Sequence, residues 1–239
     1  MIRRQKSMRF LGGYYAFPGG RVDPQDATPD ILSRCRGLLP AVAEQALPPT
    51  DGFPALSFWV AAARELLEET GVLAAQDARG PIDAQDRAVQ ERVAAMRGAL
   101  ISGEASFAAL LASEGWDLDL APFRYLSHFV TPPSSPIRFS ARFFLAEVPD
   151  GQAVRLFEEE ASEGLWIEPA EGFRRVHQGD MPMAEPAYSG LAYLGEFDSL
   201  AALWAAHRDG RHKFHGINDR LDAVGLRVPR RPVSGLPGS

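Results

Sequence analysis

Apolar and polar positions alternate along this chain with two different periods. From Phe58 to Thr70, residues such as Trp59, Ala63 and Leu67 return at four-residue steps, which predicts an amphipathic helix over 58–70. Ser57 stands where an N-cap belongs, and Gly71 can end the helix in the left-handed conformation that glycine tolerates. Residues 83–100 and 104–113 read as helices rich in Ala, Leu and Val. Tyr14–Phe17, 123–131 and 138–148 are aromatic and β-branched runs that predict strands, the last two joined by a proline-stiffened loop from Thr131 to Pro136. Leu165-Trp166-Ile167 predicts a short strand, and 169–177, 186–196 and 198–207 predict helices, the first with Pro169 in its opening turn. Residues 27–55 show no period and read as a long loop with one short helix near 30–38. The tail after 228 reads as loose. Strands mixed with helices, without strict alternation or repeats, predict an α+β chain, an α/β/α sandwich.

With 239 residues, the chain has room for one large domain, or one domain with a sizeable insertion. A hydrophobic share of 46% and a charged share of 23% exclude disorder, collagen and coiled coil for its bulk. No stretch approaches the roughly 18 apolar residues of a membrane span. A single cysteine, Cys35, excludes an intramolecular disulfide and a cysteine-based zinc site. The first residues carry no apolar signal core, so a soluble, cytoplasmic protein is expected. The net charge of −6 argues against a general nucleic-acid binder. Basic residues gather near the two ends, and acids gather at Glu65, Glu68 and Glu69 and again at Glu158, Glu159, Glu160 and Glu163. Such separation could hold a phosphorylated ligand together with a divalent cation; solvated surface gives the same pattern.

The informative string is Arg64-Glu65-Leu66-Leu67-Glu68-Glu69-Thr70-Gly71-Val72. On a helix, Glu65, Glu68 and Glu69 stand at i, i+3 and i+4, share one face and can converge on a point. Their repulsion is relieved by a cation, and oxygen ligands suit Mg²⁺ or Mn²⁺. Arg64 can pair with Glu68 four residues on. A solvated acidic helix face has the same spacing. Upstream, Phe17-Pro18-Gly19-Gly20 supplies a strand end and a glycine turn that lets backbone approach a metal or phosphate closely.

Together these segments resemble the Nudix hydrolase family, whose box reads G-x5-E-x7-R-E-U-x-E-E-x-G-U, with U a bulky aliphatic residue. Arg64 to Val72 matches every specified position of the second half. In the first half, Asp26 stands six residues after Gly20 in place of the family's Glu, and 37 residues (27–63) replace the usual seven. The resemblance implies a Nudix fold with a mixed sheet, in which 1–239 is a single domain, 27–56 an insertion within the box and 178–239 a helical C-terminal extension and loose tail. By position it implies Glu68 and Glu69 as metal ligands, and Glu65 as a further ligand or the base that orients the attacking water. Arg64 would hold a glutamate by an ion pair, and the backbone of Gly19 and Gly20 would complete the shell of Mg²⁺ or Mn²⁺. A further carboxylate is expected from Glu160, six residues before Trp166, with Glu163 as the alternative and Glu158 and Glu159 still open.

Arg4, Arg9, Gly13 and Phe17-Pro18-Gly19-Gly20 fall at the spacing of a motif of Nudix coenzyme A diphosphatases, R-[S/A]-x3-R-x3-G-x3-F-P-G-G, with Gln5 departing from it. The branch most similar is the peroxisomal type and its bacterial relatives. The resemblance implies cleavage of coenzyme A or acyl-CoA, with Arg4 and Arg9 as seats for the 3′-phosphate and Arg138 and Arg142 beside the pocket. ADP-ribose, NADH or a capped RNA end are rival substrates, and a non-catalytic Nudix-fold ligand sensor is the reading from another class. Tyr14, Tyr15 and Phe143 could stack on adenine or fill the core. His128, His207, His212 and His215 are expected in surface or packing roles. Only Met1-Ile2-Arg3 stands where the family places a strand, which predicts a true start further upstream. The expected partner is a small nucleotide-derived substrate and not a membrane; a homodimer is compatible with the sequence.

Overall fold

The computed structural model describes residues 1–7, 11–47, 52–131, 138–155, 157 and 161–207. The predicted loose tail lies outside them. In chain order the elements are β1 (Ile2–Arg4), β2 (Tyr15–Ala16), a 3-10 turn (Pro24–Ala27), α1 (Pro29–Leu32), β3 (Cys35–Arg36), α2 (Pro40–Ala46) and α3 (Leu56–Thr70). There follow β4 (Ala75–Asp77), β5 (Gly80–Pro81), α4 (Arg87–Ile101), α5 (Phe107–Glu114), β6 (Asp117–Asp119), β7 (Phe123–Val130) and β8 (Ser140–Ala146). Last come β9 (Ala161–Gly164), α6 (Pro169–Gln178), α7 (Glu185–Leu194) and α8 (Leu200–His207).

Hydrogen bonding groups the strands as β2-β1-β9, β3-β6-β4-β5 and β7-β8. The second group is mixed: β3 runs parallel to β6, while β4 is antiparallel to both β6 and β5. The β7-β8 ribbon lies between helices. On one face Tyr125 and Phe144 pack on Trp59 of α3. On the other, Leu126 and Leu145 cluster with Tyr193 of α7 and Leu203 of α8. This is the expected α/β/α layering. Leu56, Trp59, Val60, Ala63 and Leu67 of α3 enter the main core, so its apolar stripe fixes which face of the helix remains for polar chemistry. Among the described residues no helix is long and apolar enough to cross a membrane.

Four expectations need correction. The stretch after Asp26 is not a loop with one helix. Pro29 and Pro40 each open a helix at its first turns, where proline's missing N–H costs nothing. Ile31, Ala43 and Leu47 from this insertion are buried in the same core as α3. Ser57 is not the N-cap of α3: that position falls to Ala55, and the buried Ser57 hydroxyl donates to Pro54 O at 2.7 Å. The strand predicted at 165–167 lies at Ala161–Gly164 instead. Leu165 N–H still donates to Met1 O, but Trp166 stands 78% exposed, having left the ladder that would bury it. The helix expected from 83 begins at Arg87, because the Asp86 side chain accepts from Ala88 N–H and caps it there. Gly71, with φ +73°, ends α3 as expected.

Candidate active site

The site is built on the polar face of α3. Arg64 leads it, half-buried, and all five of its guanidinium N–H donors can be assigned acceptors. Nε donates to Asp26 Oδ1 at 2.8 Å and Nη2 to Asp26 Oδ2 at 3.0 Å. Nη2 also reaches Arg21 O at 2.7 Å. Nη1 donates to Glu65 Oε1 at 2.9 Å and to Glu68 at 3.1 Å. Burial alone would lower the Arg64 pKa; the hydrogen bond and charge of Asp26, with Glu65 and Glu68, outweigh it and raise the pKa above its ordinary value. The guanidinium is therefore a permanent charge.

Asp26 is held just as firmly. Its side chain is 2% exposed, and Oδ2 accepts from Asp23 N–H at 2.8 Å. Asp23 in turn accepts from Gln25 N–H, closing a capping box around the 3-10 turn. That turn packs on α3, so the position of Asp26 comes from local turn chemistry and not from the length of chain before Arg64. Closing 37 flexible residues in place of seven costs only about 1.5 kcal/mol, and the insertion buries apolar residues of its own against the core.

The glycine loop completes the arrangement. Gly19 N–H donates to Glu69 Oε2 at 2.7 Å. A Cβ at Gly20 would fall 2.3 Å from Glu65 Oε1, so glycine lets this backbone lie against that carboxylate where it stands, and a larger residue would have to push it aside. At the far end of the helix, Arg97 of α4 donates through Nε to Glu68 O at 2.6 Å, which complements the negative end of the helix dipole. The three glutamates do not meet at one point, contrary to what their spacing suggests. Arg64 Nη1 draws in both Glu68 oxygens and one of Glu65, and no group of three or more metal-ligating side chains forms among the described residues. The donor set still suits a hard divalent cation. Asp26, Glu65 and Glu68 set three negative charges on the single charge of Arg64, and the Gly20 cradle presses backbone against Glu65.

No family model matches the chain. A solved structure described as a NUDIX hydrolase from Alicyclobacillus acidocaldarius is 32% identical, covers 85% of this chain and 86% of its own, and superposes with a TM-score of 0.64. The chain belongs to the Nudix hydrolase family. A curated Caenorhabditis elegans protein named "Putative nudix hydrolase 7" is 26% identical over 202 residues, which is 82% of this chain. The chain spans about half, 55%, of that relative's length.

The remaining residues singled out around the Nudix box fall into separate places. Arg4 and Gly13 meet at the mouth of the β1-β2 hairpin, where Arg4 N–H donates to Tyr14 O at 2.9 Å and Gly13 N–H to Arg4 O at 3.1 Å. Arg4 Nε is buried with no hydrogen-bond partner among the described residues. Arg142 lies with its guanidinium 3.9 Å from the centre of the Phe58 ring, and Phe58 is two turns before Glu65 on the Nudix helix. Arg138 Nε donates to Thr131 O at 3.2 Å, at the exposed end of β8. Arg9, Glu158, Glu159 and Glu160, like His212 and His215, lie outside the described residues. Glu163, the alternative to Glu160, is engaged elsewhere. It accepts from Tyr15 O–H at 2.7 Å and pairs with Arg3 at 3.5 Å. Tyr15 is a core residue, its hydroxyl pKa raised by burial first and by Glu163 second. Phe143 packs edge-on against Phe17 and Phe129, and His207 is buried against Tyr193.

Sequence reasoning left Asp26 without a role, and Arg97 and the seat of Phe17 unnoticed. The carboxylate six residues after Gly20 was the signal for Asp26. Nothing in the sequence marks Arg97, which arrives from a separate helix.

Proposed function

We propose that this chain is a divalent-metal-dependent pyrophosphohydrolase that cleaves the diphosphate of coenzyme A or acyl-CoA. The products would be 3′,5′-ADP and 4′-phosphopantetheine or its acyl form. The observation that carries the reading is the joint anchoring of the Nudix carboxylates: Arg64 on Asp26, Glu65 and Glu68, and Gly19 N–H on Glu69. A non-catalytic sensor has no need of three glutamates held in this way.

Glu65, Glu68 and Glu69, with the backbone of Gly20, would hold Mg²⁺ or Mn²⁺, with Glu160 as a candidate further ligand. The bound ion would neutralise phosphoryl oxygens and lower the pKa of water at neutral pH. Glu65 is the candidate side chain for orienting the attacking water and taking its proton: Arg64 fixes its Oε1, and the carboxylate lies against the Gly20 backbone. Arg64 is a positioning residue, since its donors are spent on protein acceptors.

The coenzyme A assignment is supported by the spacing of Arg4, Arg9 and Gly13 before the glycine loop. Arg4 and Arg9 would seat the 3′-phosphate, which guanidinium forks suit. Arg142, lying over the helix face that carries Glu65, and Arg138 beyond it are candidates for other phosphate oxygens. The test is a mass-spectrometric time course with Mg²⁺ and then Mn²⁺. The panel is CoA, acetyl-CoA, a long-chain acyl-CoA, ADP-ribose, NADH and a capped RNA. Metal-dependent release of 3′,5′-ADP from the CoA members, faster than any other cleavage, is the expected result. Faster cleavage of ADP-ribose, NADH or capped RNA would discard the CoA assignment and keep the diphosphatase. No cleavage of any member would discard both.

A further inference from the structure

The glycine loop is gripped from a part of the chain far from the Nudix box. Tyr15 N–H, just before the loop, donates to Pro182 O at 2.8 Å. Two residues later the Phe17 ring packs on α7 at Gly190, where an added Cβ would lie 2.8 Å from Phe17 Cε2 and 3.4 Å from Cζ. Gly190 thus leaves the space that the ring occupies. The same ring packs edge to face on Phe143, at 6.4 Å between centroids and 82° between planes. The next residue of α7, Leu191, fits against Gly172 of α6, where a Cβ would fall 2.4 Å from Leu191 Cδ2. Phe173 and Tyr188 lock the same two helices edge to face at 5.2 Å. Gly190 sits in the interior of α7, where glycine is a poor helix former and alanine a good one. Helix propensity therefore opposes glycine here, and close packing favours it.

We propose that Gly190 is a positioning residue: by leaving space for the Phe17 ring, it sets Gly19 and Gly20 against Glu69 and Glu65. The C-terminal helices are then part of the machinery that aims the glycine loop. Because α7 is packed on α6 while Gly19 and Gly20 are exposed, a group added at 190 pushes on the ring and displaces the loop of Phe17-Pro18-Gly19-Gly20. The first bond to suffer is Gly19 N–H to Glu69 Oε2. For its effect on turnover this inference rests on the hydrolase reading; for loop position it does not.

The test compares the wild-type chain with Gly190→Ala, Phe17→Leu and the double variant. A leucine side chain lacks the Cε2 and Cζ atoms that an added Cβ would strike. Amide exchange at Gly19, Mn²⁺ binding by calorimetry and CoA hydrolysis are read on each. Gly190→Ala should speed Gly19 exchange by about tenfold or more and weaken Mn²⁺ binding by roughly 10–100-fold. It should lower kcat more than it raises KM. Phe17→Leu, which leaves α7 intact, should also quicken exchange, and the double variant should recover most of what Gly190→Ala loses. That recovery is something a general loss of stability would not give. Unchanged exchange and Mn²⁺ affinity in Gly190→Ala, or a double variant no better than it, would overturn the proposal. If Gly190→Ala does not fold, Phe17→Leu decides in the same way: unchanged Gly19 exchange overturns it. Exchange that responds as expected, in a wild-type protein that cleaves nothing, would support the seat and remove the hydrolase reading.

Discussion

Arg64 and Asp26 form a two-bond ion pair across 38 residues of sequence, with Nε to Oδ1 at 2.8 Å and Nη2 to Oδ2 at 3.0 Å. The pair is asymmetric. Arg64 has Glu65 and Glu68 as further partners, while Asp26 has only Asp23 N–H to fall back on among its described contacts. Removing the arginine strands a carboxylate that is 2% exposed; removing the aspartate leaves a guanidinium still paired. Arg64→Ala should therefore cost about 3–5 kcal/mol, and Asp26→Ala clearly less. Urea unfolding of both variants checks the order. Equal losses would mean that Asp26 is not the buried charge that Arg64 sustains.

Glu69 reports on function with little effect on the fold. Its Oε2 accepts from Gly19 N–H, and a glutamine oxygen can accept the same bond while giving up the negative charge. Glu69→Gln should keep its thermal midpoint within a few degrees, yet lose more turnover than the roughly 10–100-fold typical of outer-shell partners of a metal. Turnover and melting measured on one preparation separate the two effects. Unchanged turnover would remove Glu69 from the metal site.

These two residues show what the sequence made legible. The Nudix helix announced itself through a local period, and every position from Arg64 to Val72 was readable because helix geometry relates neighbours three and four apart. Asp26 was placed by count but its role was not, since that depends on a turn closing 38 residues before its partner. Pro29 and Pro40 looked like loop residues because proline marks both loops and helix starts, and only packing distinguishes them. Trp166 drew the last strand four residues too far along the chain, because an aromatic residue in a short apolar run reads as buried. Phe17 and Gly190 are separated by nearly the whole described chain, and no local pattern links a glycine to the ring it admits.

The insertion should unfold with the core. Gly37 has φ +77°, and a Cβ there would fall 2.6 Å from the backbone nitrogen of Ala121, which follows β6, the strand that β3 pairs with. Gly37→Ala combines left-handed strain with a clash against backbone, and should cost roughly 2–4 kcal/mol. Ile31→Ala, at 1% exposure, should cost about 2–5 kcal/mol. Both should lower one cooperative urea transition. A separate early transition carrying the whole effect would show the insertion to be an independent unit.

Cys35 gives a pH prediction whose sign follows from burial. The thiol is pushed up to about 12 from an ordinary 9.0, by burial first, with Arg36 opposing and Asp117 adding to the rise. Its Sγ–H donates to Ile31 O at 3.4 Å, which also favours the protonated form. At pH 8 the folded chain then holds roughly a thousandth of the thiolate that a free cysteine would, and thiolate is the reactive species. A disulfide reagent should label Cys35 slowly in buffer and rapidly in urea. Because the folded state keeps a proton that the unfolded state releases above pH 9, this group's contribution to stability is intact below pH 9. It is lost as pH rises towards 12. Cys35→Ala should flatten that part of the stability profile. Fast labelling of the folded chain at pH 8, with the urea transition unchanged, would show that the thiol is not held as the packing of β3 requires.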